Sequence, residues 1–411
     1  MKIVTLRPEQ FDKFASTHRY RNYFQTTAYG NTMTKFGYKV HYLGIVNDLN
    51  SLIGATMIMY KEVFMKNKIA YAPRGILFDY ENTKAVKDLG TKLKNLLGKQ
   101  GFMLLRMDPY IPISVRSNNG DILNINHQED MIINNLKQAG FDYKGKNLYF
   151  ENEHSRWEAL VLLNKSENEL FDSFDKRTRN KIRKAINAGI IVEQDGKKDI
   201  KPLYELIKNG ERKSIKFYEE LKNSFEDNLE IYYAKIDTEA FVVNSRRIYE
   251  QELQNNEQLA EQVQNFNLNP KDRTNYLNKK MESDKLISAY KNNLLLSTRL
   301  LKEYPEGITI GGCITIIYDH AAYIYTEGFN QKYAHLNPNY LIKWELIKEY
   351  TTRGYKYLNL NAIVGEFEKE NKYRGLNEMK LGYHTIITEY VGEFDIVLNN
   401  FTYSLYKNFN K

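Results

Sequence analysis

The chain has 411 residues, 42% of them hydrophobic and 27% charged, too many for one ordinary core and too apolar for a disordered chain. Its one cysteine, Cys313, excludes an internal disulfide and a Cys-based zinc site, and a cytoplasmic address is the default expectation. A net charge of +8 favours polyanionic partners such as nucleic acid, nucleotide-linked sugars or anionic lipid head groups.

Residues 1–30 are polar and aromatic, without the apolar run of a secretory segment, and no later stretch approaches the ~18 apolar residues of a membrane span. The first regular grammar begins at 43–46 and continues through 52–60 and 69–75, short apolar runs that read as a strand meander with KEVFMKNK as a turn. Val86, Leu89, Leu93 and Leu96/Leu97 then recur at helical spacing over 83–98, and 102–109 closes the unit as a strand.

Further on, FDKRTRNKIRKAINAG predicts a short helix with Ile182, Ala185 and Ile186 facing inward and six cations on its exposed faces. From 238 to 304 glycine disappears and apolar residues recur at Tyr249, Leu253, Ala260 and Val263, then at Leu277, Met281, Ile287, Tyr290, Leu294 and Leu301. Spacings of three, four and seven describe a narrow seam, so an antiparallel two-helix arm is expected, reversing at 267–272 around Pro270. Such an arm serves equally as a spacer or an oligomerisation device. The early grammar then returns: a hairpin over 311–318 and 321–325, a helix over 339–352 and a strand over 355–360. Meander, helix, strand, used twice, predicts a mixed α/β chain of two units in an arrangement suited to N-acyltransferases.

Several constellations could carry chemistry. Lys176, Arg177, Arg179, Lys181, Arg183 and Lys184 suit phosphates, or form a solvated basic face. Arg74, between Pro73 and Gly75, is placed for anion recognition. Asp108 ends a strand before Pro109, where a carboxylate orients an amine or caps a turn. Lys380, in NEMKLGY, is a cation able to stabilise an oxyanion if a cleft lies beside it. The seven His show no ligand spacing, so no metal is expected. No P-loop, nucleophile elbow or Gly-rich acetyl-CoA loop is present. The 32 Tyr suit an extended cleft, although Asn-, Lys- and Tyr-rich composition follows equally from genomic base bias.

Taken in order, FQTTAYG, YAPRG, LLRMDP, FDKRTRNKIRKAINAGIIV, NPNYLIKWELIKEYTTRGYKYLNL and EMKLGYHTIITEYVGEFD resemble the FemABX family of peptidoglycan-bridge aminoacyltransferases across essentially the whole chain. The resemblance implies two acetyltransferase-like (GNAT-like) domains, 1–153 completed by 389–411, and 154–388 carrying the 238–304 coiled-coil arm. It also implies transfer of an amino acid from aminoacyl-tRNA to an amino group of a lipid-linked or UDP-linked muropeptide, without a cofactor, at the inner face of the membrane.

Carried over by position, Lys35 and Arg74 would hold the muropeptide, Asp108 would orient its amine, and Arg212, Tyr218 and Tyr325 would line the groove. Lys380 would stabilise the transition state, and Arg177, Arg179, Lys181, Arg183 and Lys184 would serve the tRNA. Two departures from the family pattern stand out: Met379 where a Phe is usual, and Asn359-Leu360-Asn361-Ala362 where a Gly is frequent. The competing expectations are an acetyl-CoA-dependent N-acetyltransferase and a non-catalytic RNA-binding scaffold.

Overall fold

The computed structural model describes residues 1–63, 66–265, 269–368 and 371–409. In chain order the strands are β1 (Lys2–Thr5), β2 (Lys39–Val46), β3 (Leu52–Glu62), β4 (Lys68–Ala72), β5 (Phe102–Met107), β6 (Pro112–Arg116), β7 (Ile122–Ile125) and β8 (Asp142–Tyr143). They continue as β9 (Trp157–Leu162), β10 (Ile190–Gln194), β11 (Leu229–Ile236), β12 (Ile308–Tyr318), β13 (Ala321–Phe329), β14 (Tyr357–Ala362), β15 (Ile386–Tyr390) and β16 (Phe394–Val397).

They form a seven-stranded sheet, β1-β2-β3-β4-β5-β16-β8, and a nine-stranded sheet, β10-β11-β12-β13-β14-β9-β15-β6-β7. The chain changes sheet more than once. β6 and β7, numbered within the expected first domain, lie in the larger sheet, where β6 pairs with β15 and β7 with β6, and β16 pairs with β5 and β8 in the smaller one.

The repeated grammar is visible in both sheets. Antiparallel β2-β3-β4 is followed by the helix Thr83–Lys99 and by β5 parallel to β4. Antiparallel β11-β12-β13 is followed by the helix Pro338–Thr352 and by β14 parallel to β13. The same mixed α/β unit is thus used twice. Asn82 caps the first crossover helix by accepting from the Ala85 N–H at 3.0 Å, and Val86, Leu89, Leu93 and Leu97 face the sheet. In the second, Leu341, Trp344, Ile347 and Tyr350 are buried as their spacing predicts.

One apolar core surrounds the smaller sheet and runs on through Phe217, Leu221, Ile231 and Tyr323 onto one face of the larger. A second fills the space around Leu341, Ile347 and Leu358. The halves therefore meet along packed apolar surface.

Between β11 and β12 the chain leaves the body as the arm, helices Thr238–Gln264 and Pro270–Glu303 packed along each other. Residues 267 and 268 of the expected reversal lie outside the described residues, as do 64 and 65 of the turn after β3. The seam is as expected except near the start of the second helix. Leu277 and Met281 are exposed, and the inward positions run Tyr276, Lys280, Ser283, Ile287, Tyr290, Leu294 and Ser297. Its middle is polar: Asn256 donates to the Ser283 Oγ (3.1 Å) and to Asp284 (2.8 Å), and Ser283 donates to Glu252. Sparing use of apolar residues hid the facing at that start, because a narrow seam needs few of them. Ile186 of the basic helix is likewise half-exposed rather than inward-facing, since the inward face is already filled by Thr178, Ile182 and Ala185.

Among the described residues no helix is long and apolar enough to cross a membrane, and no group of His, Cys, Asp and Glu could hold a metal ion.

Candidate active site

A cleft of about 800 Å³ opens where the two sheets face each other, lined by Tyr23, Tyr29, Tyr71, Arg74, His154, Glu158, Tyr323, Tyr325, Asn361 and Ala362 among others. Its position follows from the strand pairing. In the smaller sheet β4 and β5 stay paired from Lys68↔Phe102 to Ala72↔Met107. In the larger sheet β13 and β14 pair only over Ala321–Tyr323 and Tyr357–Asn359, then diverge. Ile324, Tyr325, Asn361 and Ala362 line the opening so made. Asn361 turns the strand there at φ +68° and donates to the Ile324 carbonyl at 3.1 Å. This left-handed conformation suits Gly or Asn, so Asn361 supplies what a Gly would.

The loop after β4 is built from the inside. Gln25 is fully buried and donates to the Met57 (3.1 Å) and Pro73 (2.8 Å) carbonyls while accepting from the Met57 N–H (2.8 Å). That clamp holds YAPRG against β3. Arg74 follows at φ +52°, buried, its guanidinium 5.2 Å from the rings of both Tyr110 and Tyr390. Its Nη2 donates to Glu158 (2.7 Å) and to the Ser155 carbonyl (2.9 Å), and Nη1 lies 3.7 Å from Asp108. Burial alone would lower its pKa, but Glu158 and Asp108 outweigh that and raise it. Glu158 also accepts from Tyr110, Asn359 and Tyr390 at 2.8, 2.7 and 3.2 Å. The Arg74 Nε is buried and has no hydrogen-bond partner among the described residues.

Asp108 is equally engaged. It accepts from the Tyr71 hydroxyl (2.9 Å) and the Arg74 N–H (2.8 Å), and the His154 Nδ1 is 2.8 Å away. Burial pushes this carboxyl up, yet His154 and Arg74 more than compensate and hold it below its usual value.

Lys380 lies behind the opened strand pair. Its Nζ donates to the Ala362 carbonyl at 2.8 Å, so the ammonium is one peptide away from the cleft surface. Burial lowers its pKa to about 8, with Glu327 resisting and Lys343 adding to the fall. Glu327 accepts from the fully buried Lys343, and for this carboxyl the two cations outweigh burial.

The remaining expected ligands are spread out. Tyr325 faces the cleft and accepts from Lys213 at 2.7 Å. Arg212 is exposed and outside the lining, while its neighbour Lys213 points in over Phe217 (4.7 Å) and Tyr325 (4.8 Å). Lys213 remains exposed as a residue, but crowding of its ammonium lowers its pKa. Tyr218 is buried behind that wall, donating to Glu211. Lys35 is exposed just past the helix Thr27–Thr34, three residues before the lining residue Tyr38.

The basic cluster forms the helix Lys176–Asn187, partly neutralised by the chain itself. Arg177 pairs with Glu378 (2.9 Å), Arg179 donates to the Asp172 carbonyl (3.1 Å), Lys181 donates to Tyr340 (2.9 Å) and Arg183 covers Phe171 (5.2 Å). Lys184 is exposed and makes no ion pair among the described residues. This helix abuts the one carrying Lys380: a Cβ on Gly382 would lie 2.1 Å from the Thr178 Oγ1.

Sequence reasoning missed Tyr71, His154, Glu158 and Lys213. They come from separate parts of the chain and meet only through the fold, so no local spacing marks them.

The FemAB family model matches residues 6–411. Aminoacyltransferase FemA of Staphylococcus aureus (strain N315) is 23% identical over 423 residues, covering 100% of this chain and 99% of that protein. Aminoacyltransferase FemA of Staphylococcus epidermidis is 23% identical over 421 residues with the same coverage. Among solved structures, that of FemX superposes with a TM-score of 0.73 at 21% identity, over 98% of this chain and 99% of that one, and so shares the fold. The chain belongs to the FemAB family and is an aminoacyltransferase.

Proposed function

We propose that the protein transfers an amino acid from aminoacyl-tRNA to an amino group of a lipid-linked or UDP-linked peptidoglycan precursor, building an interpeptide bridge. The observation that carries this reading is the opened β13–β14 pair with the Lys380 ammonium bonded behind its wall. Attack of an amine on the ester places negative charge on the carbonyl oxygen. A cation in this water-poor wall stabilises that charge. The ester is already activated, so no covalent enzyme intermediate is required.

In this reading Tyr325 and Lys213 border the acceptor groove, with Tyr218 bracing Tyr325 from behind and Lys35 and Arg212 at the rim. Arg74 and Asp108 hold the two strand ends, with Arg74 in the cleft lining beside the muropeptide. Arg177, Arg179, Lys181, Arg183 and Lys184 meet the tRNA, close enough in the fold for donor binding to bear on the Lys380 helix. The two GNAT-like units act as domains, 1–153 with 389–411 and 154–388, with the arm as an insertion. The site of action is cytoplasmic, peripheral to the inner face of the membrane, where lipid-linked acceptors lie.

The test is a transfer assay with purified protein, a pool of radiolabelled aminoacyl-tRNAs, and both kinds of muropeptide. Label in a muropeptide supports the reading and names donor and acceptor together. No transfer from any donor, beside saturable acetyl-CoA binding, overturns it.

A further inference from the structure

His154 lies in the cleft wall between the two sheets, its ring 4.2 Å from that of Phe24 and 5.8 Å from that of Tyr71. Its Nδ1 is 2.8 Å from the Asp108 Oδ2 and 2.6 Å from the Tyr71 hydroxyl oxygen. The proton positions follow by elimination. Tyr71 has one hydroxyl proton, directed to the Asp108 Oδ1 at 2.9 Å. Asp108 accepts the Arg74 N–H as well and faces the Arg74 guanidinium at 3.7 Å, the setting of a carboxylate with no proton to give. An Nδ1 facing two oxygens with no proton to offer must carry the hydrogen itself. The lone pair of the neutral ring is then on Nε2. Among the described residues Nε2 has no partner, and the side chain is 18% exposed along the cleft.

We infer that His154 accepts the proton of the attacking amine, with Asp108 as the positioning residue that fixes its tautomer. This deepens the aminoacyl-transfer reading and rests on it. The acceptor amine attacks the ester carbonyl carbon, forming the C–N bond. Nε2 takes a proton from that nitrogen as it becomes positive. The C–O bond to the ribose then breaks, and the imidazolium returns the proton to the departing oxygen. The products are an amide and a free hydroxyl, with the histidine restored. Proton transfer and charge stabilisation are thus divided between His154 in the cleft lining and Lys380 behind Ala362. The arrangement assigns Asp108 a task that its three contacts permit: it steadies the imidazole, since its carboxylate is buried and already engaged by Tyr71, Arg74 and His154.

The test uses the full-length protein, the aminoacyl-tRNA pool and a UDP-linked muropeptide. His154→Gln, which fills the same space, should lower the single-turnover rate by roughly 10²–10⁴-fold with acceptor KM little changed. Added imidazole should restore part of the rate to His154→Ala and none to His154→Gln. A His154→Gln protein at the wild-type rate, or a loss confined to KM, overturns the inference while leaving the aminoacyl-transfer reading intact. Wild-type protein inert with every donor overturns that reading first. Separately, ¹⁵N spectra of histidine-labelled protein should show the Nδ1–H tautomer at His154, lost in Asp108→Asn. An Nε2–H tautomer in the wild type refutes the dyad whatever the activity.

Discussion

The two meander units share an order of elements and end differently. In the first, β4 and β5 run parallel for their whole pairing, and just beyond them the Arg74 N–H donates to the Asp108 carboxylate at 2.8 Å. In the second, β13 and β14 part after three paired residues, and the gap is lined by Ile324, Tyr325, Asn361 and Ala362. The first strand pair is locked by buried charge and the second is left open with a buried cation behind it. A duplicated frame can thus assign rigidity to one copy and substrate access to the other. The difference depends on a few residues past the strand ends, and hardly at all on the strands.

The lock is the first place to break. Arg74→Ala leaves Asp108 and Glu158 buried without their shared cation, which should cost about 3–5 kcal/mol in chemical denaturation. A loss under about 1 kcal/mol would mean that water or the Tyr hydroxyls already satisfy those carboxylates. The open copy should respond in rate instead. Lys380→Ala should reduce turnover by roughly 10²–10³-fold with little change in substrate KM. Because Lys380 loses its proton near pH 8, wild-type turnover should also fall as pH rises through that value. Unchanged turnover in Lys380→Ala removes this residue from the mechanism.

A smaller effect sharpens the link between the open copy and the basic helix. Gly382→Ala drives a Cβ to 2.1 Å from the Thr178 Oγ1 and should destabilise by about 1–3 kcal/mol. Adding Thr178→Ala should recover most of that loss, and an additive double mutant would show that the two helices do not share the strain. The smallest effect concerns Glu393, beside the lock at 3.2 Å from Arg106. Burial raises its pKa to about 7 although Arg106 opposes the rise. A carboxyl with a raised folded-state pKa stabilises fully below its unfolded value, and the contribution disappears as pH climbs through the folded one. Glu393→Gln keeps the neutral shape, so its Tm should exceed that of the wild type by a few degrees, roughly, above pH 7 and match it near pH 4. Equal Tm values at pH 8 would show that Arg106 fully compensates this charge.

Much of the frame was legible because short apolar runs, a capped amphipathic helix and a closing strand leave periodic signals, and because they occur twice. The arm was legible from its glycine-free composition and its seam, though Leu277 and Met281 were placed inward where Tyr276 and Lys280 are. Arg212 was chosen where Lys213 points into the cleft. In both places the inward-facing residue is one position away: periodicity and family position locate a stretch well, while the facing of a side chain is decided by packing. His154 was passed over for a different reason. Its partners are 83 and 46 residues away along the chain, and a histidine without ligand spacing carries no signal until the fold brings Tyr71 and Asp108 to it. Glu158 illustrates the same limit, since a lone acid in a strand reads as a surface residue until its four donors are seen.

The polar layer in the arm has a consequence of scale. The 34-residue helix Pro270–Glu303 is about 50 Å long at roughly 1.5 Å per residue. Two smooth apolar helices could slide by a heptad, moving one end relative to the other by about 10 Å. The bonds among Glu252, Asn256, Ser283 and Asp284 exist in one alignment only. The arm is therefore a ruler with a pinned zero, holding its far end at a set reach from the body of the protein.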